Sequence, residues 1–583
     1  EHVSLISRLQ YILANGQQLS EDCQEKIYNL LGQCWRYVGN SQKSTEAYKL
    51  AVQHAESMEL RLEEYSNFPF NLHYIDEISE DKKFEAHCDY QCLLPDIPMF
   101  FHRKRSSEGK IRLGYISPDL REHVVMQFAY ALFSNYDHEN FEVHCYANGP
   151  EDRWSQQAAA CVDGWRNIAD MSAEQAARLI YDDKIDVLFD LSGHTRHNCL
   201  PILAYKPAPV QISGIGYFAT TGLAQVDYFL GDAYLDSAGG DAYFREQILA
   251  LPHSHFCYTP SKHVPLSGKS AWETNGYITF GSFNNFTKVT DRVLSVWHQL
   301  LERVPGSKLL LKAAVFDGQA EREYIRKRFL AAGLDVSRIE CRGFSREYLS
   351  EYADVDIALD TFPYPGGGTT CDALYMGVPV ITLVGKSHGE RFGYSILMNA
   401  GLEECCAFTE EEYISRAVML AKDPELLQLL HHNLRSMLEK SPLMSRKSYL
   451  KELETGYRQI WQEYCRTQYQ TEKFQDITAL VRAMQIFSKR GDWEQAMAAA
   501  DALLENTGTL SQAVLEEIIA VYIDARDTEK AEETVQHLVK DYGEYGYGLF
   551  LASRAAYMQQ NWHLAETLGL QALNHADLKD WQR

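Results

Sequence analysis

Apolar positions change their spacing twice along this chain of 583 residues. Up to about residue 66 they recur every three to four positions, the stripe of amphipathic helices that bury one face. Between Lys110 and Leu383 short apolar runs alternate with helical stretches instead. Ile111–Ile116, Phe141–Tyr146, Ile185–Asp190, Val210–Ile215 and Val226–Leu230 read as one series of strands. Tyr277–Gly281, Lys308–Leu311, Arg338–Cys341, Ile357–Leu359 and Val380–Leu383 read as a second. Continuous apolar strands separated by helices belong to parallel sheets covered on both faces. The pattern therefore predicts two doubly wound α/β units, with Pro252–Gly268 between them. A helical segment over Lys447–Cys465 closes the second, and helical spacing then runs to the end of the chain.

The helical ends repeat. Gly491-Asp492-Trp493-Glu494-Gln495-Ala496 is matched by Arg526-Asp527-Thr528-Glu529-Lys530-Ala531 and by Gln560-Asn561-Trp562-His563-Leu564-Ala565, at steps of 35 and 34 residues. Near the N-terminus, Tyr28, Leu31-Gly32, Trp35, Gly39, Ser44, Tyr48 and Ala51 have the large-small alternation of two closely crossing helices. Both are the spacing of tetratricopeptide helix pairs. Such pairs stack and present a concave surface, so they recruit partners or brace what lies beside them.

Composition narrows the function. A formal charge of -24 disfavours a nucleic-acid binder, which needs a basic face. It also requires any site for an anion to be locally basic. The 13 cysteines follow neither a disulfide framework nor a zinc-ligand spacing, which points to free thiols in a reducing compartment, the cytoplasm. No apolar run reaches the roughly 20 residues of a membrane span, and Glu1-His2-Val3-Ser4 does not open a signal peptide. Arg103-Lys104-Arg105 reads as a solvated linker, and His431-His432 has no partner residues for a metal site.

The chemistry concentrates after the strand ending at Leu359. The run Asp360-Thr361-Phe362-Pro363-Tyr364-Pro365-Gly366-Gly367-Gly368-Thr369-Thr370-Cys371-Asp372 leads from a strand into a helix. Glycines let backbone approach a ligand closely, and unpaired N–H groups at a helix start suit a diphosphate. The alternative is an ordinary αβ connection.

Five motifs in order carry a family resemblance. They are Gly114-Tyr115-Ile116-Ser117-Pro118-Asp119-Leu120 with His123; Asp190-Leu191-Ser192-Gly193-His194-Thr195; Lys206-Pro207-Ala208-Pro209-Val210-Gln211 leading to Gly216-Tyr217 and Thr220-Thr221-Gly222; Phe283-Asn284-Asn285 with Lys288; and the Gly-Thr turn with Met376-Gly377-Val378-Pro379. From about Lys110 to Cys465 the chain resembles the catalytic region of the O-linked N-acetylglucosamine transferase and SPINDLY family. The resemblance implies an α/β GT-B fold, two doubly wound Rossmann-like domains, here flanked by all-α tetratricopeptide-like repeats. Its division of the chain is 1–66 helical repeats, 67–106 linker, 107–265 acceptor-side domain, 266–466 nucleotide-sugar domain and 475–583 C-terminal repeats.

The implied activity is inverting, metal-independent transfer of a sugar from a nucleotide diphosphate to Ser or Thr hydroxyls of a protein. No cofactor or metal is expected, only the donor as substrate. Partners are a protein acceptor drawn in by the repeats, with no nucleic acid and no membrane; an oligomer is left open. UDP-GlcNAc is the favoured donor by family frequency, with GDP-fucose and UDP-glucose as alternatives. A transferase core that has lost activity and serves as a repeat scaffold is the competing class.

By resemblance Lys288 is the catalytic lysine. Without a metal, charge on the leaving diphosphate must be met by cations and amide dipoles. His123 is the acceptor-side catalytic candidate, either taking a proton or positioning the acceptor. Asn284, Asn285, Gly367, Gly368, Thr369 and Thr370 would line the nucleotide-sugar site, with Asp372 at the ribose. Tyr348 stands where animal members carry a base-side His, and Gly367 where they carry another. Arg391 would support the phosphates or lie on the surface. His194, Tyr217, Thr220 and Thr221 would face the sugar or acceptor, with a structural role the alternative for His194.

Overall fold

The computed structural model describes residues 1–15, 19–94, 97–102, 106–236, 240–467, 477–505 and 510–575. Arg103-Lys104-Arg105 lies outside them. Two compact units emerge from the contacts. The first comprises 1–95, 109–204 and 208–460, the second 96–108, 205–207 and 461–583.

The first unit opens with five helices, α1 (His2–Asn15), α2 (Glu21–Tyr37), α3 (Ser41–His54), α4 (Met58–Leu72) and α5 (Glu80–Leu93). Helices α2 and α3 cross where the Leu-Gly spacing places them. A Cβ on Gly32 would fall 2.7 Å from the Tyr48 ring, so only glycine admits this approach. The span 67–106, expected to be a linker, instead carries the end of α4 and all of α5. Pro69 lies inside α4, and α5 turns Lys83, Ala86, His87 and Tyr90 inward rather than an aliphatic stripe. Neither helix shows the periodicity that identifies its neighbours.

The first sheet contains β1 (Ile111–Ser117), β2 (Phe141–Ala147), β3 (Gly164–Asn167), β4 (Val187–Asp190), β5 (Val210–Ser213), β6 (Tyr228–Asp232) and β7 (Gln247–Leu251). All seven are parallel in the order β3-β2-β1-β4-β5-β6-β7. The second contains β8 (Thr279–Ser282), β9 (Lys308–Lys312), β10 (Ile339–Arg342), β11 (Ile357–Leu359), β12 (Val380–Leu383) and β13 (Cys406–Ala407), parallel in the order β10-β9-β8-β11-β12-β13. These are the two doubly wound sheets the apolar runs predict. The strands beyond the prediction, β3, β7 and β13, all sit at sheet edges, where one flank lacks a partner and the sequence need not be apolar.

Strand order reverses between β1 and β4 in the first sheet and between β8 and β11 in the second. Loops leaving the carboxyl ends of strands at such points diverge and leave a crevice. His123 follows β1, Lys288 follows β8 and the Gly-Thr turn follows β11, so topology alone assigns them to the two crevices. The helix Arg446–Thr467 returns to the first sheet. There the Tyr457 and Tyr115 hydroxyls lie 3.3 Å apart, and Glu454 accepts the Asp137 N–H at 2.8 Å.

In the second unit, three helix pairs follow one another: Ile477–Lys489 with Trp493–Glu505, Gln512–Asp524 with Thr528–Tyr542, and Gly546–Met558 with Trp562–Leu573. The sequence register is a structural one. Gly491, Arg526 and Gln560 each adopt a left-handed conformation, with φ of 72°, 65° and 62°. The next residue caps the following helix: Asp527 accepts from the Lys530 N–H and Asn561 from the Leu564 N–H. Phe100 joins this unit by stacking on Phe487 at 6.3 Å, and the Phe101 N–H donates to Gln495 at 2.8 Å.

Candidate functional site

The helix Gly368–Tyr375 begins in the glycine run, with Gly367 as its cap and no side chain on its first N–H groups. Those groups are left for a ligand. The turn fits tightly against its surroundings. A Cβ on Gly366 would lie 2.6 Å from the hydroxyls of both Thr369 and Thr370, and one on Gly368 would lie 2.6 Å from Val124 of the first domain. Val124 opens the helix α6 (Val124–Ser134), whose cap is His123. The starts of two helices, one from each sheet, therefore face each other across the crevice, and both direct positive dipole ends into it.

Lys288 lies in a short turn after β8 and is half-buried. Its ammonium donates to the Pro365 carbonyl at 2.8 Å and sits 4.6 Å above the Tyr364 ring. Both partners belong to the glycine turn, so the cation is delivered to the helix start. Desolvation pushes its ammonium down to about 8, partly opposed by the charge of Asp360. Next to it, Thr287 donates to the Arg36 carbonyl at 2.9 Å, tying the turn to the end of α2. Tyr364 packs on Tyr74 at 5.0 Å and on Phe70 at 6.4 Å, so α4 lies against the glycine turn.

Asn284 and Thr369 join the turn to β8, since the Thr369 hydroxyl donates to Asn284 Oδ1 at 2.7 Å. A small recess beneath them is lined by Ser282, Asn284, Tyr352, Asp360, Thr369 and Thr370. Thr370 turns back to the Gly366 carbonyl at 3.1 Å. Asn285 is exposed, and its side chain caps its own turn by accepting from the Thr287 N–H at 3.1 Å. Asp372 is buried and holds two phenols: Tyr258 donates at 2.5 Å and Tyr348 at 2.8 Å. Burial raises its carboxyl to about 6, against the two hydrogen bonds. Tyr258 comes from the connection between the sheets, a contact the sequence reading did not foresee.

His123, in the loop after β1, is partly open, with 38% of its side chain exposed. Its Nδ1 accepts the Val125 N–H at 3.3 Å and lies 3.6 Å from the Asp119 carboxylate. Desolvation holds the imidazole below its usual range, opposed by Asp119. In a neutral ring, accepting at Nδ1 puts the proton on Nε2, which then donates to whatever enters the crevice.

The other acceptor-side candidates are enclosed, and for His194 this is the structural role given as its alternative. His194 is 1% exposed, with one nitrogen 3.1 Å from Ser66 of α4 and the other 2.9 Å from the Thr221 carbonyl. Burial drives it well below the usual histidine range, so it stays neutral. Tyr217 is equally enclosed and lies 2.7 Å from His87 Nε2 of α5. Thr220 and Thr221 are buried as well and hold Glu246: Thr220 donates its hydroxyl at 2.5 Å, and Thr221 donates its N–H at 2.8 Å and its hydroxyl. These four residues form the seat of α4 and α5 on the first sheet rather than an open wall. Arg391 likewise turns from the turn region, donating to the Tyr234 carbonyl at 2.9 Å and lying 4.9 Å over the Tyr394 ring. It braces the second domain on the first. Asp119, Glu246, Tyr258 and Asp360 are the functional or organising residues that motif reading did not assign. For Asp360 the signal was an acidic residue directly after an apolar strand.

Comparison with known proteins agrees with this geometry. The sequence signature of glycosyl transferase family 41 matches residues 83–267 and 258–453. The Solanum lycopersicum protein named probable UDP-N-acetylglucosamine–peptide N-acetylglucosaminyltransferase SPINDLY is 36% identical over 410 residues, which cover 68% of this chain and 44% of that protein. The Arabidopsis thaliana protein of the same description named SEC is 29% identical over 403 residues, covering 66% of this chain and 41% of that one. Among solved structures, a mutant O-GlcNAc transferase of Thermobaculum terrenum superposes with a TM-score of 0.71 at 29% identity, covering 76% of this chain and 85% of that one. The chain spans less than half the length of these curated relatives.

Proposed function

The chain belongs to glycosyltransferase family 41, and from that premise we propose that it is a protein O-glycosyltransferase. A nucleotide sugar would lie with its diphosphate at the start of the Gly368–Tyr375 helix. The acceptor hydroxyl oxygen then forms its bond to the anomeric carbon as the carbon–phosphate oxygen bond breaks, with inversion; the diphosphate leaves with the electron pair, and the hydroxyl proton would pass to a base in the crevice, for which His123 is the candidate. Lys288, the bare amides of the turn and the Thr369 hydroxyl would stabilise that charge in place of a metal. The acceptors would be Ser or Thr hydroxyls of a protein. The favoured donor is UDP-GlcNAc, with GDP-fucose and UDP-glucose as alternatives that the Tyr348 base position leaves open.

The observation that carries the reading is the delivery of the Lys288 ammonium to the Pro365 carbonyl, beside an uncapped helix start at the point where strand order reverses. A lysine on a solvated surface turn would have no such anchorage. Replacing Lys288 by Ala is expected to leave the fold intact and to lower turnover by roughly 10²–10³, the usual effect of losing one preorganised donor to a developing charge. Mass spectrometry of candidate acceptor proteins, incubated with each of the three donors, reads the product and its sugar. Near-normal turnover of the alanine variant would remove Lys288 from the chemistry. Loss of activity with a chelator, restored by magnesium, would remove the metal-free mechanism. The scaffold reading predicts no rise in melting temperature with either UDP or GDP, because a ligand stabilises only what binds it.

A further inference from the structure

Asp360 is 1% exposed and lies immediately after β11, under the glycine turn. Its Oδ1 accepts the Gly366 N–H at 2.6 Å and the Thr361 N–H at 2.9 Å, with Asn284 Nδ2 at 3.5 Å. Its Oδ2 accepts the Thr382 hydroxyl at 2.9 Å from the neighbouring strand, and its own carbonyl accepts Tyr413 at 2.9 Å. One carboxylate thus ties the first glycine of the turn, the turn's entry and β12 together. A neutral asparagine could keep most of these bonds, so the bonds alone do not explain a buried charge.

The charge has a counterpart. Lys288 donates to the Pro365 carbonyl and Asp360 accepts the Gly366 N–H, so cation and carboxylate grip the two ends of one peptide unit; Tyr413 and Tyr352 also face Asp360, both held protonated by burial. Among the described residues, the Lys288 ammonium has a carbonyl and an aromatic face in direct contact. Those partners orient an ammonium but carry no net charge. We propose that Asp360 is a positioning residue for the transfer: it pins the glycine turn at Gly366 and supplies the countercharge that keeps Lys288 cationic before the donor binds.

The inference deepens the proposed reaction and rests on Lys288 acting there. Burial raises the Asp360 carboxyl to about 6 and lowers the Lys288 ammonium to about 8. In the free protein the charged pair therefore exists between those values, and activity that needs the cation declines as pH rises through the upper one. In Asp360→Asn the countercharge is gone, and the basic limb of kcat/KM, which reports the free enzyme, should move down by about 1 pH unit. Thr382→Val, which removes one bond to the carboxylate but not its charge, should leave that limb in place. A basic limb unmoved in Asp360→Asn overturns the proposal.

A second measurement needs neither a folded variant at Asp360 nor turnover. In the native chain carrying carbon-13 methyl labels on its lysines, the Lys288 resonance, identified by its absence in Lys288→Arg, should titrate near 8 and show a second inflection near 6 as Asp360 takes up its proton. A single inflection means that Lys288 does not sense that carboxylate, and the proposal fails. A native chain inert with all three donors, or a fully active Lys288→Ala variant, would be a failure of the proposed function instead. The resonance would still report on the ion pair.

Discussion

A single imidazole shows how far a residue's role depends on its tautomer. Capping α6 through Nδ1 commits the neutral His123 ring to a proton on Nε2, which makes it a hydrogen-bond donor in the crevice. To take a proton from an acceptor hydroxyl, the ring must instead carry its proton on Nδ1, and Asp119 at 3.6 Å is the group that would stabilise that form. Asp119→Asn removes this support. If His123 works as the base, protein glycosylation should fall by about tenfold, on the scale of one misplaced proton-transfer partner, while nucleotide affinity holds. Unchanged turnover would assign the ring to positioning the acceptor oxygen. None of this was legible in the motif, which supplies a histidine after a strand but not the atom it uses to cap the next helix. The meeting of Lys288 with the glycine turn was legible, because a lysine and a glycine-rich helix start, each just after a strand, are both visible in the sequence. His194, Thr220 and Thr221 were not: their polar groups are consumed by Ser66 and Glu246, partners distant in sequence.

Elements were legible in proportion to how regularly they bury apolar surface. Nine of the ten strands read from apolar runs lie inside their sheets, β10 being the exception at an edge, whereas β3, β7 and β13 are edge strands with little of that signal. Helix α5 was missed for a related reason, since it buries His87 and Tyr90 against the first domain in place of aliphatic side chains. The C-terminal repeats were the clearest elements, and the structure gives the cause. Their steps of 35 and 34 residues recur at a left-handed turn followed by a capping residue. Glycine fills that turn only at 491, while Arg526 and Gln560 bear the steric cost of a side chain there, roughly 1–2 kcal/mol. Arg526→Gly should therefore stabilise its helix pair by about 1 kcal/mol. Gly491→Ala should destabilise its own by a similar amount. Hydrogen exchange resolved to residues 512–542 and 477–505 reads each pair separately, which a single melting curve of a chain with several units does not. Faster exchange in Arg526→Gly would mean that its side chain contributes more than its backbone costs.

For the whole molecule, the division of labour between catalytic core and repeats is the remaining question. The first unit holds both sheets, the glycine turn and the five N-terminal helices, so α2 and α4 border the candidate site through Thr287 and through Phe70 on Tyr364. If the repeats of the second unit recruit the acceptor, removing residues 477–583 should reduce glycosylation of the native protein acceptor by about tenfold or more, since a tethered second contact raises the effective concentration of the acceptor. Donor hydrolysis should then persist near its original rate. The truncation also strips Phe100 and Phe101 of Phe487 and Gln495, so a loss of stability could imitate a loss of recruitment. Gln495→Ala separates the two, because it removes the bond to the Phe101 N–H while leaving the repeats in place. Recruitment predicts that this variant glycosylates the protein acceptor almost normally. Bracing predicts that it and the truncation lose transfer and hydrolysis together.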